Sequence, residues 1–295
     1  MDPKLSLAGL LVGLLVGMTG MGGGSLMTPM LVLLFGFKPT VAIGTDILHG
    51  AIFKSFGAVR HRQLGNVHAR LTLWMLLGSA PMSLAGVALA TWLKHRYGDG
   101  FENTAQEILG GALIVGGIGF LIKSFLRSKG DDRPFILRPR DRRIAFAIGL
   151  SGGFIVGLTS VGSGTFFGLV MLLVFPLTAA KIVGTDIFHA AALLWVAGAG
   201  HLVAGNVDLH ATGWLLIGSI PGVLLGSHFT VRLPERALRV ALALVLSFSG
   251  VKLLDVPGAR YYVPVSLAFV AVGLGSAWRR SRQLASATAA PRLIN

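Results

Sequence analysis

Gly44-Thr-Asp-Ile-Leu-His49 recurs 140 positions later as Gly184-Thr-Asp-Ile-Phe-His189, and this repetition decides how the whole chain is organised. The same offset aligns Gly65-Asn-Val67 with Gly205-Asn-Val207. Between positions 17 and 86 the ungapped alignment has 24 identical pairs out of 70, and most of them are Gly, Pro, Thr, Asp, His or Asn. Hydrophobic composition alone does not produce such matches, so the chain contains an internal duplication.

The composition indicates that lipid is the solvent for most of this chain. Hydrophobic residues make up 53% of its 295 residues, charged residues only 13%, and the mean hydropathy is +0.74. Apolar segments of the roughly 20 residues needed to cross a bilayer recur along the sequence. We therefore expect an all-α integral membrane protein with eight to nine transmembrane helices. The net charge of +14 resides largely in short links, which argues against a nucleic-acid partner.

Each copy begins with an apolar run that is too long for one ordinary span, at 5–35 and at 144–175. Helix-poor Gly22-Gly-Gly-Ser25 and Gly162-Ser-Gly-Thr165 interrupt these runs. We predict that each run forms a glycine-broken helix or a re-entrant hairpin, in two pieces shorter than a bilayer crossing. Three spanning helices follow in each copy, and an unpartnered apolar segment adds one C-terminal helix.

Basic residues in the links predict the orientation of the two copies. Residues 123–143 carry eight Lys or Arg against three Asp and should be cytoplasmic. The link at 60–70 is basic, whereas its second-copy equivalent, 201–210, has no Lys or Arg, so the repeats are predicted to be inverted. The predicted divisions are a first repeat at 1–127, a basic cytoplasmic linker at 128–143, a second repeat at 144–255, an extra transmembrane helix at 256–279 and a basic cytoplasmic tail at 280–295.

Two acidic residues lie well inside apolar runs, and they are equivalent in the two copies. A carboxylate at membrane depth is costly unless it is paired or functional, so Asp46 and Asp186 are candidate site residues. His49 and His189 follow three residues later on the same helical face. Such a pair is suited to proton relay, and equally to a structural hydrogen bond that joins helices. If both pairs met at the symmetry axis, they would also provide metal ligands.

The glycine breaks predict a second kind of site. A broken helix exposes backbone N–H groups that favour an anion, although glycines also serve simply to pack helices closely. Lys54 is the one base inside a span, and we expect it to extend toward the membrane surface. The candidate substrate- or ion-binding residues are Gly22, Gly23, Gly24, Ser25, Thr45, Asp46, His49, Gly162, Ser163, Gly164, Thr165, Thr185, Asp186 and His189.

The combination of motifs resembles the sulfite exporter TauE/SafE family of membrane transporters. The resemblance rests on Met21-Gly-Gly-Gly-Ser25, Pro29, Ala42-x-Gly-Thr45 and Gly65-Asn-Val67, with recurrence of the set in the second half. It implies a transporter that exports small anions such as sulfite, thiosulfate or organosulfonates. Family members often have Ser or Asn after the Gly-Thr pair, where this chain has Asp46 and Asp186, and we interpret that difference as proton coupling.

These patterns predict a multi-pass protein of the cell (plasma) membrane that is not an enzyme. Its partners would be a small anionic solute and the lipid bilayer, with a homodimer left open and no cofactor or resident metal. The Gly-rich segments lack the Gly-Lys-Ser/Thr ending of a nucleotide-binding loop, which argues against an ATP-driven pump. Two alternatives remain at this point. One is an intramembrane Asp/His metal-binding enzyme or assembly factor, and the other is a purely structural membrane protein.

Overall fold

The computed structural model describes residues 3–19, 24–126, 130, 135–162, 164–229 and 235–256. Within these ranges the chain is helical and contains no strand. Four helices are long and apolar enough to cross a membrane, namely α4, α5, α6 and α8, and three shorter apolar helical segments accompany them. The expected all-α membrane protein is thus confirmed. The helices are α1 (Pro3–Thr19), α2 (Gly24–Phe35), α3 (Pro39–Gln63), α4 (Ala69–Tyr97), α5 (Asp99–Phe125), α6 (Pro139–Thr159), α7 (Phe166–Val174), α8 (Ala179–Val203), α9 (Leu209–Phe229) and α10 (Glu235–Leu253).

Both glycine-rich runs are interrupted where the sequence predicts. The first helix ends at Thr19 and the next begins at Gly24, while the corresponding helices of the second copy end at Thr159 and begin at Phe166. A short helix and then three longer helices follow each break, so helices α1–α5 correspond to α6–α10. The predicted extra C-terminal helix and basic tail lie outside the described residues, and the domain boundaries stay predictions.

The second run forms a re-entrant hairpin. Phe175, just after α7, lies beside Phe135, which precedes α6, with their ring centroids 5.9 Å apart. The chain therefore returns to the side from which it entered. The prediction that both pieces are short was wrong for α6, which has 21 residues because it begins at Pro139. The Asp141 carboxylate accepts a hydrogen bond from the Arg138 N–H and extends the helix into the polar segment.

The packing of the helices repeats with two-fold symmetry. Gly9 of α1 lies against the carbonyl of Leu215 in α9, and the equivalent Gly149 of α6 lies against the carbonyl of Met75 in α4. In both places the missing side chain lets two helix backbones approach closely. The first repeat thus packs its broken helix on the second repeat, and the second repeat does the same in return.

The central pair, α3 and α8, shows that the repeats are inverted. A Cβ on Gly50 would lie 3.1 Å from Leu194, one on Gly57 would lie 3.3 Å from Ile187, and one on Gly198 would lie 3.3 Å from Leu48. Residue numbers rise along one helix as they fall along the other, so these equivalent helices are antiparallel. A two-fold axis that relates antiparallel spans lies across them, in the plane of the membrane.

Candidate functional site

The two predicted aspartates lie at different depths along the central pair of helices. Asp46 is near the start of α3 and Asp186 is near the start of α8, which runs in the opposite direction. Gly57 contacts Ile187, so Asp186 lies about twelve residues along α3 from Asp46, or roughly 18 Å at 1.5 Å per residue. The expected meeting of both Asp-His pairs at one point was therefore wrong, because inversion places equivalent residues on opposite sides of the axis.

Asp46 is surrounded by hydroxyl groups. Its side chain is 1% exposed, and Oδ2 accepts hydrogen bonds from Thr28 Oγ1 at 2.5 Å and from Ser160 Oγ at 2.8 Å. Thr28 belongs to α2, whereas Ser160 lies just after α6 in the break of the other repeat, with a left-handed φ of 62°. The other carboxylate oxygen, Oδ1, has no hydrogen-bond partner among the described residues. The two repeats meet at this carboxylate.

Asp186 has a charged neighbour instead. The buried ammonium group of Lys123, from the end of α5, acts electrostatically on Asp186 and donates to the Gly164 carbonyl at 3.4 Å. Gly168 makes room for this arrangement, since a Cβ there would meet Lys123 Nζ and would lie 3.0 Å from Asp186 Oδ2. Gly168 is the repeat equivalent of Thr28. The aspartate of the second copy therefore lies beside a lysine of the first copy, where the aspartate of the first copy has a threonine hydroxyl.

The histidines are bonded to serines and not to the aspartates. His49 Nε2 lies 2.9 Å from Ser219 Oγ, and His189 Nε2 lies 2.9 Å from the equivalent Ser79 Oγ. All four side chains are buried. These two bonds link α3 to α9 and α8 to α4, so the histidines join helices through serines; the Asp–His hydrogen bond that both interpretations assumed does not appear among the described residues.

The metal-site hypothesis loses its geometric basis. It requires Asp46, His49, Asp186 and His189 to converge, and the antiparallel arrangement separates the two pairs. Throughout the described ranges, no group of three or more His, Asp or Glu side chains is placed to hold a metal ion.

The threonines of the repeated motif support the backbone of the opposite repeat. Thr45 Oγ1 accepts the N–H of Asp208 at 3.0 Å, and Thr185 Oγ1 accepts the N–H of His68 at 3.0 Å. Both threonines are fully buried. Their hydroxyls hold the links that follow the Gly-Asn-Val motifs, and their predicted contact with a solute stays a prediction.

The second glycine break borders a cavity of about 320 Å³. Gly162 and Thr165 line it together with apolar residues of α5, α6 and α7. Val115 on its rim is 70% exposed, so the cavity opens toward the lipid-facing surface. Of the other predicted residues, Gly164 touches Lys123, Gly24 and Ser25 begin α2, and Gly22, Gly23 and Ser163 lie outside the described residues.

Lys54 is buried inside the protein and does not extend to the membrane surface. Its side chain is 3% exposed. It lies one helical turn from Gly50, where α3 contacts Leu194 of α8, so it is close to the symmetry axis. Its charge acts on both Asp46 and Asp186. The expected extension was wrong because α3 is enclosed by the other helices over this part of its length.

Comparison with known proteins agrees with the duplicated, glycine-broken architecture. Residues 5–253 match the model of the family described as sulfite exporter TauE/SafE. The chain belongs to this family. YjnA of Bacillus subtilis strain 168, a probable membrane transporter protein, is 38% identical over 260 residues, which cover 86% of this chain and 100% of the relative. This member of the sulfite exporter TauE/SafE family is thus a multi-pass membrane transporter and not an enzyme.

More distant relatives carry the same description. YdhB of Bacillus subtilis strain 168 is 26% identical over 83% of this chain and 96% of its own length. MJ0441 of Methanocaldococcus jannaschii is 22% identical over 85% of this chain and 95% of its own length. Both are named probable membrane transporter proteins, and no solved structure matches.

Four side chains at the centre of this TauE/SafE protein were missed or misassigned from its sequence. Thr28, Ser160 and Lys123 contact or act on the aspartates but do not recur in the other copy, so the repeat alignment does not mark them. Ser79 does recur, within Gly78-Ser-Ala-Pro81 and its counterpart, and that recurrence was the available signal.

Proposed function

We propose that this protein is a secondary transporter that exports small oxyanions such as sulfite, thiosulfate or organosulfonates, with proton movement coupled to anion movement. The family description supports the anion class, and the relatives' names support transport. The positive-inside rule supports a cell-membrane orientation with the basic linker at 128–143 and the C-terminal tail in the cytoplasm, although Lys123, which the sequence grouped with these basic residues, is buried beside Asp186.

The observation that carries this proposal is a pair of buried lysines among the two aspartates. Lys123 lies beside the second break, and Lys54 lies between Asp46 and Asp186. A buried ammonium group is costly without negative charge nearby, and an oxyanion in this interior would gain strong attraction from it. The break also places the positive end of the α7 helix dipole at this point, which favours an anion.

Charge balance explains why protons would move with the anion. With both aspartates ionised, the two buried lysines are already compensated. An added anion then leaves excess negative charge in a low-dielectric interior, which is unfavourable. Protonation of an aspartate removes that excess, so anion binding and proton binding favour each other.

Flux measurements in proteoliposomes test the proposal. We expect sulfite, thiosulfate or an alkanesulfonate to move down its gradient and to carry protons that an internal pH-sensitive dye records. Lys54→Met should raise the KM for the anion about tenfold, which corresponds to 1.4 kcal/mol. Asp46→Asn and Asp186→Asn should remove the pH dependence of flux.

The matched control is Ser151→Ala. Ser151 is exposed on α6, and its hydroxyl bonds only backbone carbonyls of its own helix among the described residues. This variant should transport as the wild type does. Anion flux without accompanying protons, unchanged in both Asn variants, would contradict coupling. The absence of flux for all three anions would contradict the proposed substrate class.

A further inference from the structure

Both repeats contribute hydroxyl oxygens around Asp46, and the repeat-equivalent positions, Gly168 and Gly20, carry no hydroxyl. The carboxylate of Asp46 and the hydroxyls of Thr28 and Ser160 meet within hydrogen-bond distance in a fully buried place. Both hydroxyls use the same carboxylate oxygen. The remaining oxygen, Oδ1, is buried without a hydrogen-bond partner in the described part of the chain, which is costly for an acceptor of this kind.

The end of α6 contributes further negative character at the same place. This helix ends at Thr159, and Ser160 follows in the left-handed conformation, so the last turn of carbonyls points toward the break. The C-terminal end of a helix carries partial negative charge. Broken helices in transporters use such ends, together with side-chain oxygens, to coordinate small cations at membrane depth.

The second repeat shows what occupies the corresponding place. Gly168, the repeat equivalent of Thr28, lies beside Asp186 and has no hydroxyl. The ammonium group of Lys123 fills the space that a side chain at this position would take. By the repeat offset, the residue equivalent to Lys123 is the apolar Val263. Asp186 Oδ1 also has no hydrogen-bond partner in the described part of the chain, so the difference lies in the neighbours: Lys123 supplies a positive charge beside Asp186, whereas hydroxyl oxygens lie beside Asp46.

We propose that Asp46, Thr28 and Ser160 form a binding site for a sodium ion. Sodium is a hard cation that prefers oxygen ligands, and this set provides a carboxylate and two hydroxyls. The ion would satisfy Oδ1, while the hydroxyl lone pairs turn toward it. Among the described residues, Lys54 is the charged side chain that acts on Asp46. Its positive charge opposes a second cation there, so the oxygen ligands and the negative end of α6 must offset that repulsion.

This site deepens the proposed function, because it names a second coupling ion at one of the two aspartates. A carboxylate must be ionised to bind sodium, so sodium and a proton compete for Asp46. Sodium binding itself can be measured on the purified protein without any anion. Its failure is therefore distinguishable from failure of anion transport.

Thermal unfolding of the purified full-length protein in detergent tests the site. We expect the Tm to rise with sodium chloride and to saturate, relative to N-methyl-D-glucamine chloride at equal ionic strength. The rise should be larger at pH 8 than at pH 5.5. Asp46→Asn should abolish it, and Ser160→Ala and Thr28→Val should weaken sodium affinity roughly tenfold or more.

Two control variants distinguish loss of sodium binding from loss of folding. Thr28→Ser keeps the hydroxyl and should keep the sodium response, and Ser151→Ala on the exposed face of α6 should also keep it. A Tm that depends on pH but not on sodium would overturn the proposal in favour of a proton alone. A sodium response that survives both Asp46→Asn and Ser160→Ala would overturn the placement of the ion.

Discussion

The two repeats have the same supporting bonds but different surroundings at their aspartates. The histidine–serine bond measures 2.9 Å in both copies, and the bond from each motif threonine to the opposite backbone measures 3.0 Å in both. In contrast, Asp46 accepts hydrogen bonds from hydroxyls, whereas Asp186 lies near the ammonium group of Lys123. The duplication has retained a symmetric scaffold and has allowed the two carboxylates to diverge.

One position accounts for much of the difference. Thr28 and Gly168 are repeat equivalents, and each faces the aspartate of its own copy. A threonine at 168 would place its Cβ against Lys123 and Asp186, so the lysine requires the glycine. The second aspartate thus lies beside a fixed internal charge, and the first, which has hydroxyl neighbours instead, is the one that we propose to bind an exchangeable cation.

The largest expected effect comes from breaking the charged pair that Lys123 of the first repeat forms with Asp186 of the second. Asp186→Asn leaves Lys123 buried with less compensation, and Lys123→Met does the converse to the aspartate. Each change should lower the free energy of unfolding by about 3 kcal/mol, since an uncompensated buried charge is strongly unfavourable. Asp46→Asn should cost less, about 2 kcal/mol, because it weakens charge-assisted hydrogen bonds from Thr28 and Ser160 that the amide oxygen can still accept.

Chemical unfolding in detergent without sodium measures these differences. The double variant Lys123→Met/Asp186→Asn should recover part of the loss, and the coupling energy from the double-mutant cycle should be favourable. Equal losses for Asp46→Asn and Asp186→Asn, with no coupling in the cycle, would contradict the contrast between the two aspartates.

The scaffold was largely readable from the sequence because it is repeated. Gly44-Thr-Asp-Ile-Leu-His49 and its counterpart, the glycine breaks and the opposite charge of the links predict a duplicated, inverted, broken-helix protein. Residues that hold the scaffold occur twice, so an internal alignment finds them. The same logic would have identified Ser79 and Ser219 as partners of the histidines.

The site was less predictable for two physical reasons. The groups around the aspartates differ between copies, and Ser160 comes from 114 positions away, so neither repetition nor local spacing marks it. The second reason is direction. Because α3 and α8 are antiparallel, equivalent residues lie farther apart the farther they are from the two-fold axis. The aspartates are far from this axis, whereas Lys54 is close to it and thus lies near the midplane.

The two histidine–serine bonds test whether the scaffold is equally stable in both repeats. Ser79→Ala and Ser219→Ala each leave a buried imidazole nitrogen without its partner, which costs about 2 kcal/mol. The two losses should agree within about 0.5 kcal/mol, because the bonds have the same length and burial. Tm values in detergent check this, and a clear difference between the two variants would show that the scaffold has diverged as well.

The smallest expected effect concerns Thr45 and Thr185. Replacement by valine keeps the shape of each side chain and removes the acceptor for the N–H of Asp208 or His68. Those two residues are only half-buried, so water can partly replace the lost bond, and each variant should cost about 1 kcal/mol. Neither hydroxyl belongs to the proposed sodium site or contacts a buried lysine among the described residues. We therefore expect the KM for the transported anion to stay at the wild-type value, while the Tm falls equally in both variants. A raised KM in Thr45→Val, without a matching change in Thr185→Val, would indicate that Thr45 contacts the solute. It would also show that the two copies of the repeated motif have diverged in function.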